Sequence, residues 1–153
     1  MSRKMHFGEQ NTLLYKRAKF ETRLPLNLLY SPSHFWLFEK ENVWRIGLTK
    51  FATRMLGEIV DYGFDIQPNT TIRSGQVLGW IEGFKAVSDL ACVIAGKFLS
   101  SNPQLSQSPE AIDRDCYGAG WLYEATGSAD SLCLDVQGYK ALLDTTIDKL
   151  QSR

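Results

Sequence analysis

Residues 75–96 read Gly75-Gln76-Val77-Leu78-Gly79-Trp80-Ile81-Glu82-Gly83-Phe84-Lys85-Ala86-Val87-Ser88-Asp89-Leu90-Ala91-Cys92-Val93-Ile94-Ala95-Gly96. Val77, Leu78, Trp80 and Ile81 make one apolar run, and Leu90, Cys92, Val93 and Ile94 make a second. Near-continuous runs of this length, over 76–82 and 89–98, suit strands buried on both faces. Lys85 sits near the middle of the connection, ten residues after Gly75 and eleven before Gly96. The near-equal arms predict a hairpin with Lys85 at its tip. Taken alone, a lysine there is a solvated surface charge, because so short a motif arises easily.

Upstream, Phe35-Trp36-Leu37-Phe38 and Val43 to Leu48 are rich in strand formers, with Glu39-Lys40-Glu41-Asn42 between them. That pattern predicts a hairpin with a four-residue polar loop. Next, Phe51, Ala52, Met55 and Leu56 repeat at four-residue spacing between Thr49 and Gly57. A short helix over 50–56 is expected, capped by Thr49 and closed by Gly57. Ile59 and Val60 suggest a following strand, and Pro68, Asn69 and Gly75 punctuate the loops after it. Downstream, residues 100–118 are loop-like, with Ser100, Ser101, Asn102, Pro103, Ser106, Ser108 and Pro109. Strand character returns at 121–125 with Trp121, Leu122 and Tyr123. From Asp135 the period changes: Val136, Tyr139, Leu143, Ile147 and Leu150 recur at three- and four-residue steps, an amphipathic helix with Asp135 as its cap. The expected architecture is a mostly β body with a short internal helix and a C-terminal α-helix, without repeats.

The chain's 153 residues fit one domain, long enough to bury about two-thirds of its unfolded surface without a disulfide or metal staple. Hydrophobic residues at 44% and charged residues at 22% are ordinary for a globule, which excludes collagen-like and disordered classes. No apolar run approaches the ~18 residues of a membrane helix. The formal net charge of zero conceals an asymmetry. Residues 1–23 carry a net +4 and residues 24–153 a net −4. The reading is a basic N-terminal arm over 1–23, solvated and partly ordered, before a single domain over 24–153. The arm lacks the apolar core of a signal peptide. It is poor in Ser and holds Glu9 and Glu21, which disfavours a transit peptide. The acidic body argues against nucleic acid as a partner.

Chemistry-bearing motifs are sparse. Cys92, Cys116 and Cys133 are widely spaced, with no C-x-x-C and no His pair at metal spacing, so no zinc site is expected. Three unpaired cysteines fit a reducing cytoplasm. Cys92, inside an apolar run, reads as a buried and inert thiol. No G-x-S-x-G elbow frames a nucleophile. Gly118-Ala119-Gly120 lacks the third glycine of a dinucleotide loop and reads as a structural turn. His34, at a strand entry, reads as a satisfied structural histidine. Trp36, Trp44, Trp80 and Trp121 fill a core or line a binding face.

The stretch around Lys85 resembles the lipoyl-attachment hairpin of the glycine cleavage system H protein family, roughly Glu-Ser-x-Lys-Ala-x-Ser-Asp-Leu. Glu82, Lys85, Ala86, Ser88, Asp89 and Leu90 match it. Agreement continues in family order. Leu29-Tyr30, His34 and Trp36 look like its Tyr-x-x-x-His-x-Trp entry. Ile46-Gly47-Leu48-Thr49 and Leu56-Gly57-Glu58-Ile59-Val60 look like its strand–helix–strand segment. Tyr117 to Leu122 looks like its Tyr-Gly-x-Gly-Trp turn, and Tyr139 to Leu143 like its C-terminal helix. The resemblance covers about residues 24–150. Gly83, Phe84, Phe35 and Cys116 depart from the family pattern. Cys92-Val93, Asn102-Pro103 and Trp121-Leu122-Tyr123 lean toward a branch of the wider family, the lipoate-binding proteins of the sulfur-oxidising heterodisulfide-reductase-like system.

The resemblance implies a lipoyl-domain-like barrel-sandwich hybrid fold. It implies lipoic acid joined by an amide to Lys85, and a cytoplasmic carrier without catalytic power. Glu82 and Asp89, bracketing the lysine, are expected to help the modifying enzyme recognise the hairpin. Implied partners are a lipoate–protein ligase or lipoyl transferase, dihydrolipoamide dehydrogenase, and either a heterodisulfide-reductase-like complex or the glycine cleavage P, T and L proteins. The leading expectation is sulfur oxidation. The alternatives are a glycine cleavage H protein carrying the aminomethyl group, an unmodified β-sandwich binding module, and, last, a small hydrolase.

Overall fold

The computed structural model describes residues 11–152. Eleven strands and three α-helices follow one another within them. Strands β1 (Thr12–Arg17) and β2 (Phe20–Pro25) pair as an antiparallel hairpin. Next come β3 (Leu29–Tyr30), β4 (Phe35–Lys40), β5 (Val43–Leu48), α1 (Lys50–Leu56), β6 (Ile59–Phe64) and β7 (Thr70–Ile72). The second half holds β8 (Val77–Gly83), β9 (Val87–Ala91), β10 (Ile94–Ser101), α2 (Ala111–Arg114), β11 (Tyr123–Ala129) and α3 (Val136–Gln151). One sheet has the order β3-β4-β5-β11-β10-β7, and a second has the order β6-β8-β9. The fold is mostly β with a C-terminal helix, as expected.

Leu37, Ile46, Leu78, Ile81, Leu90, Ile94, Leu122 and Ala125 form the core shared by the two sheets. Burying each of the leucines and isoleucines among them contributes on the order of 1.5–3 kcal/mol. A second cluster joins Tyr15, Phe20, Tyr30, Trp36, Phe51 and Tyr117 to the apolar stripe of α3. Val136, Tyr139, Leu143 and Ile147 of that stripe are buried. Leu150, expected to continue it, is exposed because the helix outruns the body in its last turn. Asp135 caps α3 by accepting the Gly138 N–H at 2.8 Å. Helix α1 has the expected ends: Thr49 accepts from the Ala52 N–H, and the Gly57 N–H, at φ +81°, donates to Thr53 O.

Three local expectations change. The β4–β5 loop is two residues, not four: the strands pair out to Lys40–Val43, and Glu41 and Asn42 turn with φ +53° and +67°. Positive φ at both central residues is the type I′ pattern, whose twist suits a hairpin. The run 89–98 is two strands in different sheets, split at Cys92–Val93. The lysine hairpin therefore closes at Gly75, whose N–H donates to Cys92 O, while Gly96 pairs with Ile72 and Gly127 in the larger sheet. Burial on both faces does not hold either: Val77, Glu82, Val87, Ser88 and Asp89 are exposed. Residues 103–106 and 111–114, expected as loop, form a 3-10 turn and α2.

The basic leader also differs from a solvated arm. From Thr12 it is the β1–β2 hairpin, with Tyr15, Phe20 and Leu24 buried. Its earlier part, with Arg3, Lys4 and Glu9, lies outside the described residues. Among the described residues no helix is long and apolar enough to cross a membrane.

Candidate functional site

Phe84, Lys85 and Ala86 connect β8 to β9, and the Gly83 N–H donates to Ala86 O at 2.9 Å. The tip is pinned from outside as well. The Lys85 N–H donates to Leu56 O at 2.8 Å, and the Phe84 N–H to Glu58 O at 3.0 Å. The C-terminal end of α1, whose last carbonyls lack intrahelical partners, thus finds a donor in the lysine backbone. Two glycines allow the approach. A Cβ on Gly83 would collide with Leu56 O, and one on Gly57 would stand 2.9 Å from Lys85 Cγ.

The backbone of Lys85 is fixed while its side chain is exposed. The Lys85 Nζ donates one long bond, 3.4 Å, to Arg54 O. Among the described residues no carboxylate pairs with it; Glu58, nearby, faces Arg114 at 3.8 Å. An amine in water on a pinned backbone suits acylation, since only one long bond to a carbonyl must be broken to free it. The registers Glu82–Val87 and Trp80–Asp89 put both carboxylates on one face of the hairpin, where they are exposed.

Beside the tip, an apolar groove of about 510 Å³ runs between α1 and β9. Phe51, Ala52, Met55 and Leu56 line one wall, and Ala86, Val87, Ser88 and Asp89 the other, with Ser33 and His34 also in the lining. Sequence reading missed this groove and the tip's anchor. The anchor is made of carbonyls, which carry no side-chain signal, and the groove joins residues some thirty positions apart.

His34 is satisfied, as expected. Its Nδ1 lies 2.8 Å from Tyr139 Oη, which lies 2.8 Å from Thr49 Oγ1. Thr49 Oγ1 also accepts the Ala52 N–H, so the helix cap, the tyrosine and the histidine form one continuous hydrogen-bonded chain. Burial lowers the imidazole pKa from 6.5 to about 4. Above pH ~6.5 the ring is neutral in both the folded and unfolded chain. Below that, the unfolded chain takes up a proton that the folded one refuses, so stability falls as pH drops toward 4. The full effect is on the order of 3 kcal/mol. His34→Asn, which tolerates the φ of +73° at this site, is expected to flatten thermal stability between pH 6.5 and 4 relative to the parent. Parallel pH profiles for the two chains would refute this.

Cys92 and Cys116 are buried, and burial raises both thiols, Cys116 to about 12. They are protonated and inert, as read for Cys92. Gly118-Ala119-Gly120 is a structural turn, with Asp115 accepting from the Ala119 N–H at 2.9 Å. Trp36 is fully buried and Trp44 nearly so, while Trp80 and Trp121 are half-buried on different elements.

A family model described as "Glycine cleavage H-protein" matches residues 28–142, beginning just after β2. The glycine cleavage system H protein of Bacteroides fragilis is 36% identical over 124 residues, covering 78% of this chain and 97% of that protein. The one of Magnetococcus marinus is 36% identical over 126 residues, covering 80% and 89%. The crystal structure of a glycine cleavage system H protein from Mycobacterium marinum superposes with a TM-score of 0.70 at 28% identity, covering 77% of this chain and 97% of that one.

Proposed function

Because the chain belongs to the glycine cleavage H-protein family, and is therefore a non-catalytic carrier of lipoic acid on a lysine, we propose that Lys85 is that lysine and that the carried group is the aminomethyl unit released from glycine. The observation that carries the assignment is the exposed amine of Lys85, paired with no carboxylate among the described residues, on a backbone pinned to α1. The kind of relatives matched supports glycine cleavage over the sulfur-oxidation reading, so the expected partners are its P, T and L proteins and a lipoate–protein ligase or lipoyl transferase.

When bound, the dithiolane supplies reversible thiol–disulfide chemistry for taking up and passing on a group. The chain supplies address and orientation. Lys85, unbranched and at a tip, enters partner sites without the body following. Acylation removes its charge, so the side chain no longer carries an ammonium to desolvate against the Phe51–Met55 wall of the groove. Tethering keeps a carried group at high local concentration near each docked partner. Glu82 and Asp89 offer the modifying enzyme an acidic face beside the target amine.

Two measurements test this. Expression with lipoate and a lipoate ligase should add one lipoyl mass to the intact chain. The loaded chain should then support glycine-dependent carbon dioxide release with P and T proteins. Lipoylation without that release would reject the aminomethyl cargo; no added mass with several ligases would favour an unmodified module.

A further inference from the structure

The β1–β2 hairpin precedes the part of the chain shared with its relatives, and it is ordered and docked. Alternation gives it an inner face of Leu13, Tyr15, Arg17, Phe20, Thr22 and Leu24. Two sets of contacts hold that face down. On α3, the Tyr15 hydroxyl donates to Asp144 at 2.7 Å, and Arg17 donates to both oxygens of Asp148 at 3.0 and 2.8 Å. On α1, the Phe20 ring meets Phe51 edge-on at 5.5 Å, and the Arg54 guanidinium lies 5.6 Å over the Phe20 ring. Phe51 lines the groove, and Arg54 and Leu56 supply the carbonyls that meet the Lys85 side chain and backbone. Phe20 thus touches the side of α1 whose next turn holds the tip.

We infer that the added hairpin is a brace for the attachment tip, with Phe20 a positioning residue that acts on Lys85 through α1. A seven-residue helix is too short to be stable alone, so packing fixes it. The edge-to-face pair at Phe51 and the cation of Arg54 over the ring fix α1 against the hairpin, whose same face α3 holds through Tyr15 and Arg17. The consequence for carriage rests on the assignment of Lys85 above; the mechanical claim does not.

Residue-resolved amide exchange on the full, unmodified chain tests it. In Phe20→Ala the Phe84 and Lys85 amides, which donate to Glu58 and Leu56, should exchange at least about tenfold faster, while the β5–β11 ladder changes far less. Phe20→Leu, which keeps bulk but not the ring, should show a smaller acceleration at the same two amides, and it decides the matter if the alanine variant does not fold. Equal acceleration everywhere, or none at Phe84 and Lys85, would overturn the brace. Because no lipoylation enters this readout, its failure is distinct from failure of the Lys85 assignment.

Discussion

Lys85→Arg should fold like the parent, never gain the lipoyl mass, and fall to background in any glycine-dependent assay. The physical grounds are separable. Stability should stay within about 0.5 kcal/mol, because the side chain is exposed and its one long bond is to a carbonyl. The pinning bond, Lys85 N–H to Leu56 O, belongs to the backbone and survives the change. Charge is preserved, so any partner that reads only charge still binds. What disappears is an amine that can lose its proton and be acylated, since a guanidinium stays protonated throughout the accessible pH range. Intact mass and thermal melting together check this. If Lys85→Arg still gained a lipoyl group, the lipoylated lysine would lie elsewhere and the assignment of Lys85 would fall.

The elements best foretold were those whose information is local. Helix α1 has a capping threonine at one end, a glycine at the other and apolar spacing between, and it forms over the residues expected. Helix α3 combines an aspartate cap with a stripe of four buried side chains. Lys85 at a tip followed from the two apolar arms around it. The misses are non-local. Apolar content over 89–98 is continuous, yet the chain changes sheet at Cys92–Val93, because Leu90 and Ile94 serve opposite walls of one core. No periodicity within that run encodes the switch. The β1–β2 hairpin was hidden by its charge: Lys16, Lys19 and Arg23 dominate the composition, while alternate Tyr15 and Leu24 face inward. Short two-stranded ribbons are marginal alone, and this one depends on α1 and α3, which lie far off in sequence.

The site divides in the same way. The lysine, its flanking acids and the aromatic entry were visible as residue types in order. Their support was not, since Leu56 O and Glu58 O act as carbonyls and Gly83 acts through a missing Cβ. The carried group was a further step removed. Cys92-Val93, Asn102-Pro103 and Trp121 leaned toward sulfur oxidation, but in the structure each has a plain packing or hydrogen-bonding role. Cys92 is core, Asn102 donates to the Ala119 and Trp121 carbonyls at 2.9 Å, and Trp121 lies 4.2 Å beneath Arg45. Residues with such jobs say little about cargo.

Trp36→Ala should be the most damaging single truncation of the body, costing about 3–5 kcal/mol. That is a large share of the 5–15 kcal/mol that typically holds a domain. Trp36 is fully buried, and its Nε1–H donates to Cys116 O at 2.8 Å, tying β4 to the turn after α2. Trp36→Phe keeps much of the ring but leaves that carbonyl without this donor, so it should cost about 1–3 kcal/mol. The indole lies across its cross-strand partner Gly47, where an added Cβ would stand 2.6 Å from the ring. Gly47→Ala alone should therefore destabilise by displacing the tryptophan. In the Trp36→Ala background the same methyl enters vacated space and should cost less, or recover part of the loss. A coupling of about 0.5–3 kcal/mol between the two changes is expected from denaturant unfolding of the four chains. Strict additivity would mean that the close contact between Trp36 and Gly47 does not govern packing at this end of the core. Lys85 lies outside this cluster, so the folded fraction of Trp36→Ala should still accept a lipoyl group, which separates loss of the body from loss of the site.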